Sequence, residues 1–73
     1  MKLPVVSGSE IIKILVRAGY AVQSRKGSHV TLKNSKEPHQ RVTVPLHDAL
    51  KRGTLLNILG QVGLTKEDLV NKL

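Results

Sequence analysis

The amino-acid sequence predicts an α+β fold in which one helix precedes three strands and another follows them, with a short extra helix at the C-terminal end. Three observations support this order. Apolar residues recur at helical spacing before residue 20 and again after residue 52. Between these stretches, three short segments alternate apolar and polar residues, which is typical of strands that bury one face. We therefore expect an α-β-β-β-α chain with a three-stranded antiparallel sheet.

The first helix is predicted to begin at Ser7. The segment Ser7-Gly8-Ser9-Glu10 has the pattern of a capping box, with Ser7 at the N-cap and Glu10 at the third helical position. An apolar face follows at helical spacing and comprises Ile11, Ile12, Leu15, Val16 and Ala18. Gly19 is a natural residue for the helix to end at.

Three segments of β character follow, at residues 20–25, 28–33 and 40–46. Because successive side chains of a strand point to opposite faces, one set is predicted to be buried: Tyr20, Val22, Ser24, Val30, Leu32, Val42, Val44 and Leu46. The opposite set is basic and polar: Gln23, Arg25, His29, Thr31, Lys33, Arg41 and Thr43. We expect this second set to form an open sheet face large enough to contact nucleic acid.

The turn between the first two strands contains the largest group of adjacent candidate site residues, Arg25-Lys26-Gly27-Ser28-His29. Gly27 suits a hairpin turn, because one central position of such a turn usually has positive φ. A turn does not, however, require a histidine beside two cations. Strand alternation places Arg25 and His29 together on the open face and points Ser28 toward the core.

A polar loop at residues 34–39, which contains Pro38 and His39, separates the second and third strands. His39 is interpreted as plain surface. Pro45 is expected to end the third strand or to mark it as an edge, because proline cannot donate to a ladder.

The second helix is predicted to begin at Arg52 or Thr54, and Gly60 within it is attributed to close packing. Its apolar face comprises Leu55, Leu56, Ile58, Leu59 and Val62. A last short helix follows, with Thr65 as its cap and Asp68 at its third position. The apolar residues of that helix are Leu69, Val70 and Leu73.

The composition favours a polyanionic partner. The formal net charge is +7, from 12 Lys+Arg and 5 Asp+Glu. Tyr20 is the single aromatic residue, which disfavours base-stacking platforms, so we expect contacts with the nucleic-acid backbone. The sequence has no cysteine for a thiolate zinc site and no membrane-length apolar run, and Met1-Lys2-Leu3-Pro4 lacks the apolar region expected of a signal peptide. We expect one cytoplasmic domain over residues 1–73, without a cofactor.

The turn residues fit the requirements of RNA cleavage by internal transesterification. That reaction needs a base for the 2′-hydroxyl, an acid for the 5′-oxygen and cations near the phosphorus. His29 is a candidate for either proton transfer, because histidine exchanges protons near neutral pH. Arg25 and Lys26 are the candidate cations, and the backbone N–H groups of Gly27 and Ser28 are candidate phosphate contacts. The plainer alternative is that His29 is an ordinary solvent-facing strand residue.

Two further candidates also have plainer alternatives. His47 follows the third strand and precedes Asp48, so it is either a second proton-transfer group or a loop histidine bonded to Asp48 or a helix end. The N–H groups at Gly53 and Thr54 either bind a phosphate or are satisfied by Thr54 as a helix cap.

Lys33 and Arg41 are RNA-binding candidates, with a solvated surface as the alternative. A metal-dependent nuclease is disfavoured, because the acidic residues do not cluster and the predicted strands contain none. The sequence also disfavours Ser28 as the nucleophile of an acyl transfer, because no carboxylate is placed to orient the neighbouring His29.

Several motifs in succession resemble a known family. They are Ser-Gly-x-Glu at 7–10, Ala-Gly-Tyr at 18–20, Lys-Gly-Ser-His at 26–29, Val-Thr-Val-Pro-x-His at 42–47, Gly-Thr-Leu at 53–55 and Ile-Leu-x-x-x-Gly-Leu at 58–64. In this order, over nearly the whole chain, they resemble the HicA toxin family of prokaryotic toxin–antitoxin systems.

The resemblance implies a fold like the double-stranded-RNA-binding domain, with both main helices on one face of the sheet. It implies a metal-independent ribonuclease that cleaves mRNA and halts translation, with His29 as the catalytic residue. It also implies a HicB-type antitoxin partner that covers the active site, so that any contact with DNA is indirect, through the antitoxin.

Two other functions stay open at this point. The same basic face would serve a non-catalytic RNA-binding module equally well. The charge would also suit an interaction or regulatory protein that binds a protein partner or DNA.

Overall fold

The computed structural model describes residues 3–34, 36 and 40–73. In chain order, its elements are helix α1 (Gly8–Arg17), strands β1 (Tyr20–Lys26), β2 (His29–Asn34) and β3 (Arg41–Pro45), and helices α2 (Arg52–Val62) and α3 (Lys66–Lys72). The strands form one antiparallel sheet in the order β1-β2-β3. The predicted α-β-β-β-α order with a short C-terminal helix is therefore confirmed. Pro38 and His39 of the predicted loop lie outside the described residues.

Helix α1 begins with the predicted capping box. The Ser7 hydroxyl accepts a hydrogen bond from the Glu10 backbone N–H (3.1 Å), and the Glu10 carboxylate accepts one from the Ser7 backbone N–H (3.0 Å). The buried residues of the helix are Gly8, Ile11, Ile14 and Leu15. Two members of the predicted apolar face are exposed instead. Val16 is rotated about 100° from Leu15 and is 49% exposed, and Ala18 lies at the cap, beyond the last helical turn.

Strands β1 and β2 form a hairpin that a two-residue turn closes. Lys26 pairs with His29, which leaves Gly27 and Ser28 as the turn. Gly27 has a φ of +60°, and within the described ranges only glycines have positive φ. This combination is a type II′ turn, in which the first central residue needs a left-handed φ that glycine adopts without strain.

A β-bulge interrupts the pairing of β1 with β2. Val22 pairs with Leu32 and Ser24 pairs with Thr31, so the residue between them on β1, Gln23, has no partner. Directly paired residues of antiparallel strands place their side chains on the same side of the sheet. One extra residue therefore reverses the side that every later residue of β1 faces.

The bulge makes part of the predicted face assignment wrong. Arg25 pairs with the buried Val30, so it lies on the helix side of the sheet rather than beside His29. Lys26 pairs with His29 and shares its side. Ser24, predicted on the buried side, shares the open side as well. Strict alternation failed here because it assumes an uninterrupted ladder.

The hydrophobic core lies between the sheet and the helices. The inward residues of β2 and β3 are buried as predicted: Val30, Leu32, Val42 and Val44. They belong to one cluster with residues of all three helices and with Val6, Tyr20 and Leu50. Helices α1 and α2 both contact the sheet from this side. The opposite side of the sheet is consequently the open one within the described residues.

Helix α2 begins at Arg52, with Lys51 as its N-cap and no side-chain cap. Thr54 therefore lies inside the first turn, and the alternative in which it caps the helix is wrong. The buried residues of α2 are Leu55, Ile58 and Leu59. Leu56, predicted on the core face, is 36% exposed because it lies at the border of this stripe.

Helix α3 begins with a second capping box, as predicted. The Asp68 backbone N–H donates to the Thr65 hydroxyl (3.1 Å), and the Thr65 backbone N–H donates to the Asp68 carboxylate (3.0 Å). The backbone and side-chain hydrogen bonds with Thr65 hold the pKa of the Asp68 carboxyl below its usual value. Leu69 anchors the helix in the core, whereas Val70 and Leu73 are exposed.

The first residue of α1 rests directly on the end of β3. The Gly8 backbone N–H donates to the His47 carbonyl (2.9 Å). A Cβ added at Gly8 would overlap the carbonyl oxygen of Pro45 and lie 2.9 Å from its carbonyl carbon. Glycine is therefore required for this close approach, which fixes the chain after β3 against α1.

We predict that Gly8→Ala destabilises the protein by about 1–3 kcal/mol, the usual range for overpacking, because backbone atoms rather than a flexible side chain oppose the new methyl group. The free energy of unfolding, measured by urea denaturation, checks this expectation.

Gly60→Ala is the matched control. Within the described residues, no atom outside the adjacent backbone of α2 lies within 4 Å of a Cβ added at Gly60, so close packing does not explain this glycine. The substitution should leave the stability unchanged or raise it by up to about 1 kcal/mol through helix propensity. Equal stability of the two alanine variants would contradict the role given to Gly8.

Candidate nucleic-acid interface and active site

The side of the sheet that faces away from the helices, here called the outer face, presents its side chains in three cross-strand rows. The turn row is Lys26, His29 and Pro45; the hydroxyl row is Ser24, Thr31 and Thr43; the cationic row is Ala21, Lys33 and Arg41. Neighbouring strands lie about 4.8 Å apart, and residues two positions apart along a strand are separated by about 6.6 Å. The strand register thus fixes the spacing of every group on this face.

The turn row places His29 between a cation and a proline. Lys26 lies directly opposite on β1, and Pro45 lies directly opposite on β3. The side chains of His29 and Lys26 are both exposed. Cross-strand neighbours have Cβ atoms about 5 Å apart, so an imidazole and an ammonium at these positions can reach the same ligand. The cation that accompanies His29 on the outer face is thus Lys26.

Arg25 lies against the turn itself. Its Nε donates to the carbonyl oxygen of Gly27 (3.2 Å), and the side chain is exposed. This hydrogen bond supports the turn backbone from the side of the sheet opposite to His29. An RNA-binding role for Arg25 stays a prediction, and it does not rest on a shared face with His29.

Ser28 is an exposed turn residue, although alternation predicted that it faces the core. Its carbonyl oxygen accepts a hydrogen bond from the backbone N–H of Leu46 (2.6 Å). The bond ties the turn to the chain that leaves β3, one residue beyond Pro45. The contact that the structure shows for Ser28 is therefore made by its backbone.

His47 follows Leu46 directly. Because the hydrogen bond from Leu46 to Ser28 holds the chain beside the turn, His47 lies at the turn end of the sheet. Its side chain is exposed, and its carbonyl is the acceptor for the Gly8 N–H. Two hydrogen bonds therefore fix the backbone here, one at the Leu46 N–H and one at the His47 carbonyl. Its role as a second proton-transfer group stays a prediction.

The other two rows extend the outer face away from the turn. The hydroxyl oxygens of Thr31 and Thr43 are 3.3 Å apart. Lys33 and Arg41 lie directly opposite each other on β2 and β3. Lys33 is half-buried and Arg41 is exposed. The hydroxyl row was not identified from the sequence, because Ser24 joins it only through the bulge.

The three rows of the outer face carry only positive charge. Strands β1, β2 and β3 contain no aspartate or glutamate. Glu10 and Asp68 are engaged in the capping boxes of α1 and α3. Tyr20, the single aromatic residue, is buried, and its hydroxyl donates to Gln40 (2.8 Å). The outer face is therefore suited to a polyanion that it contacts through phosphates rather than through stacked bases.

Two features are absent from residues 3–34, 36 and 40–73. No group of three or more His, Asp or Glu side chains there could hold a metal ion. None of the helices there is long and apolar enough to cross a membrane.

Comparison with known proteins identifies the family. A family model described as the HicA toxin of bacterial toxin–antitoxin systems matches residues 8–64. The matched range begins at the first residue of α1 and ends after α2, so it includes the whole sheet and the turn with His29. A comparison with curated proteins gives no match. The chain therefore belongs to the HicA toxin family of bacterial toxin–antitoxin systems.

Proposed function

We propose that this toxin is an endoribonuclease that cleaves mRNA without a metal ion and thereby halts translation, with His29 as general acid or base. The observation that carries the proposal is the pairing of an exposed His29 with Lys26 across the hairpin, on a sheet face whose strands contain no acidic residue. A toxin with this surface is suited to attack an RNA backbone.

The proposed reaction is an internal transesterification. The 2′-oxygen attacks the adjacent phosphorus while the bond from phosphorus to the 5′-oxygen breaks, which leaves a 2′,3′-cyclic phosphate and a 5′-hydroxyl. A base takes the proton of the 2′-hydroxyl, and an acid supplies one to the 5′-oxygen. His29 performs one of these transfers, since histidine exchanges protons near neutral pH. Lys26 stabilises the negative charge that accumulates on the phosphorane-like transition state.

Further contacts complete the proposed site. His47 is our candidate for the second proton transfer, because the hydrogen bond between Leu46 and Ser28 leads the chain to it at the same end of the sheet. The backbone N–H groups of Gly27 and Ser28 are candidate phosphate contacts at the tight turn.

The proposed partner is an acidic antitoxin of the HicB type. A negative surface laid on the outer face would neutralise the cations and exclude RNA at the same time. Contact with DNA would then be indirect, through the antitoxin. With mRNA as substrate, the site of action is the cytoplasm.

The first test replaces His29. We expect His29→Ala and His29→Gln to lower the rate of mRNA cleavage by about 10²- to 10⁴-fold, the range that general acid–base catalysis contributes. The side chain is exposed, so the variants should fold normally. Cleavage in EDTA is measured by mapping new 5′ ends, and thermal unfolding checks that each variant is folded.

The wild-type reaction in EDTA distinguishes the alternatives. RNA binding without new 5′ ends would favour a non-catalytic RNA-binding module. Full cleavage by a folded His29→Ala variant would remove His29 from the mechanism, whereas loss of wild-type cleavage in EDTA would remove the claim of metal independence.

The second test compares the two cations of the turn. Lys26→Ala should lower kcat/KM by about tenfold or more, since a hydrogen bond to a charged group contributes about 1.5–3 kcal/mol. Arg25→Ala should lower it by less than about fivefold, because Arg25 lies across the sheet from His29 and an exposed charge contributes at most about 1 kcal/mol.

The two variants carry the same change in net charge, so each is the control for the other. Steady-state cleavage of one RNA substrate at fixed ionic strength provides the comparison. A larger loss for Arg25→Ala than for Lys26→Ala, with thermal unfolding unchanged in both, would mean that the bulge does not determine which cation serves the site.

A further inference from the structure

The cationic row is an unfavourable arrangement for the protein by itself. Lys33 and Arg41 lie directly opposite each other on neighbouring strands. Like charges in such a pair destabilise a sheet. The strands provide no acidic residue to compensate them. An anion bound between the two side chains would relieve the repulsion, so the pair is suited to a ligand.

The distance from this row to the turn row follows from the strand register. His29 and Lys33 are four residues apart on β2, with Thr31 between them. At about 3.3 Å per residue, the two rows are separated by about 13 Å, with the hydroxyl row halfway. Each nucleotide contributes six backbone bonds and each amino-acid residue three, so an extended RNA strand advances by about one row spacing, roughly 6.6 Å, per nucleotide.

The hydroxyl row fits the position between the two charged rows. Thr31 and Thr43 present hydroxyl groups within 3.3 Å of each other. A hydroxyl group both donates and accepts hydrogen bonds, so it suits a phosphate or a ribose without adding charge. The three rows therefore match three consecutive nucleotides of one extended strand.

We infer that the cationic row is a second phosphate subsite, which holds the phosphate two nucleotides away from the bond that is cleaved. The inference rests on the proposed function, because it takes the turn row as the place of cleavage. The substrate class it names is an extended RNA segment with at least three consecutive phosphates along β2. Lys33 and Arg41 bind the distal phosphate, and the hydroxyl row contacts the nucleotide between.

The test measures how cleavage depends on substrate length. Random-sequence RNA pools, each of one length from two to six nucleotides, are incubated with the toxin, and kcat/KM is obtained from the cyclic-phosphate ends formed. For the wild type, kcat/KM should rise by about tenfold or more between two and four nucleotides, where the third phosphate is added, and then level off. In Lys33→Ala/Arg41→Ala, this rise should be lost.

Lys13→Ala/Arg17→Ala is the matched control. It also removes one lysine and one arginine, from exposed positions on α1 across the core from the outer face. This variant should keep the wild-type dependence on length. A similar loss in both double variants would assign the effect to net charge and overturn the subsite.

The remaining outcomes separate the two proposals. If the wild type cleaves neither the pools nor a full mRNA, the proposed function itself fails. If it cleaves the pools at rates independent of length, or cleaves only mRNA, the function stands and the subsite spacing is wrong. If the Lys33→Ala/Arg41→Ala variant keeps the wild-type rise, the subsite does not lie at the cationic row.

Discussion

Burial of one side of the sheet under the helices is the constraint on which the arrangement of the outer face depends. Val30, Leu32, Val42 and Val44 occupy alternate positions of β2 and β3, and each is at most 5% exposed. A shift of either strand by one residue would turn these side chains to solvent and bring lysine or arginine into the core. The outward direction of His29 and Lys33 therefore follows from what their neighbours bury.

Strand β1 does not have this constraint, which explains why the sequence predicted it less well. Tyr20 is its single buried residue, and the polar run 23–26 offers no apolar side chain that must face the core. A bulge at Gln23 therefore changes the faces of Ser24, Arg25 and Lys26 without disturbing the packing. Sequence periodicity determines the face of a residue only where burial penalises the alternative. For this reason the predicted face of Arg25 was wrong.

The helices show the same distinction between local and tertiary information. Both capping boxes were predictable, because a hydroxyl residue and an acidic residue three positions later satisfy the first N–H groups within the segment itself. The exposure of Val16 and Leu56 was not, since it depends on the orientation of each helix on the sheet. The requirement for Gly8 was equally invisible, because it arises from contact with Pro45, far away in the sequence. The exposed position of His29 was predictable because it follows from the local alternation of β2.

The outer face also links folding to binding. Lys33 and Arg41 are opposed across two strands, an arrangement that disfavours a sheet, so a polyanion bound to both would stabilise the folded state by mass action. In the proposed system, RNA and an acidic antitoxin surface would compete for the same cations, so that bound antitoxin both stabilises the toxin and excludes its substrate. To compete with RNA, the antitoxin surface would need negative charge opposite the three rows, and it would not need to mimic the shape of RNA. In the proposed system, a register fixed by four buried aliphatic residues would thus place one surface under the control of two different ligands.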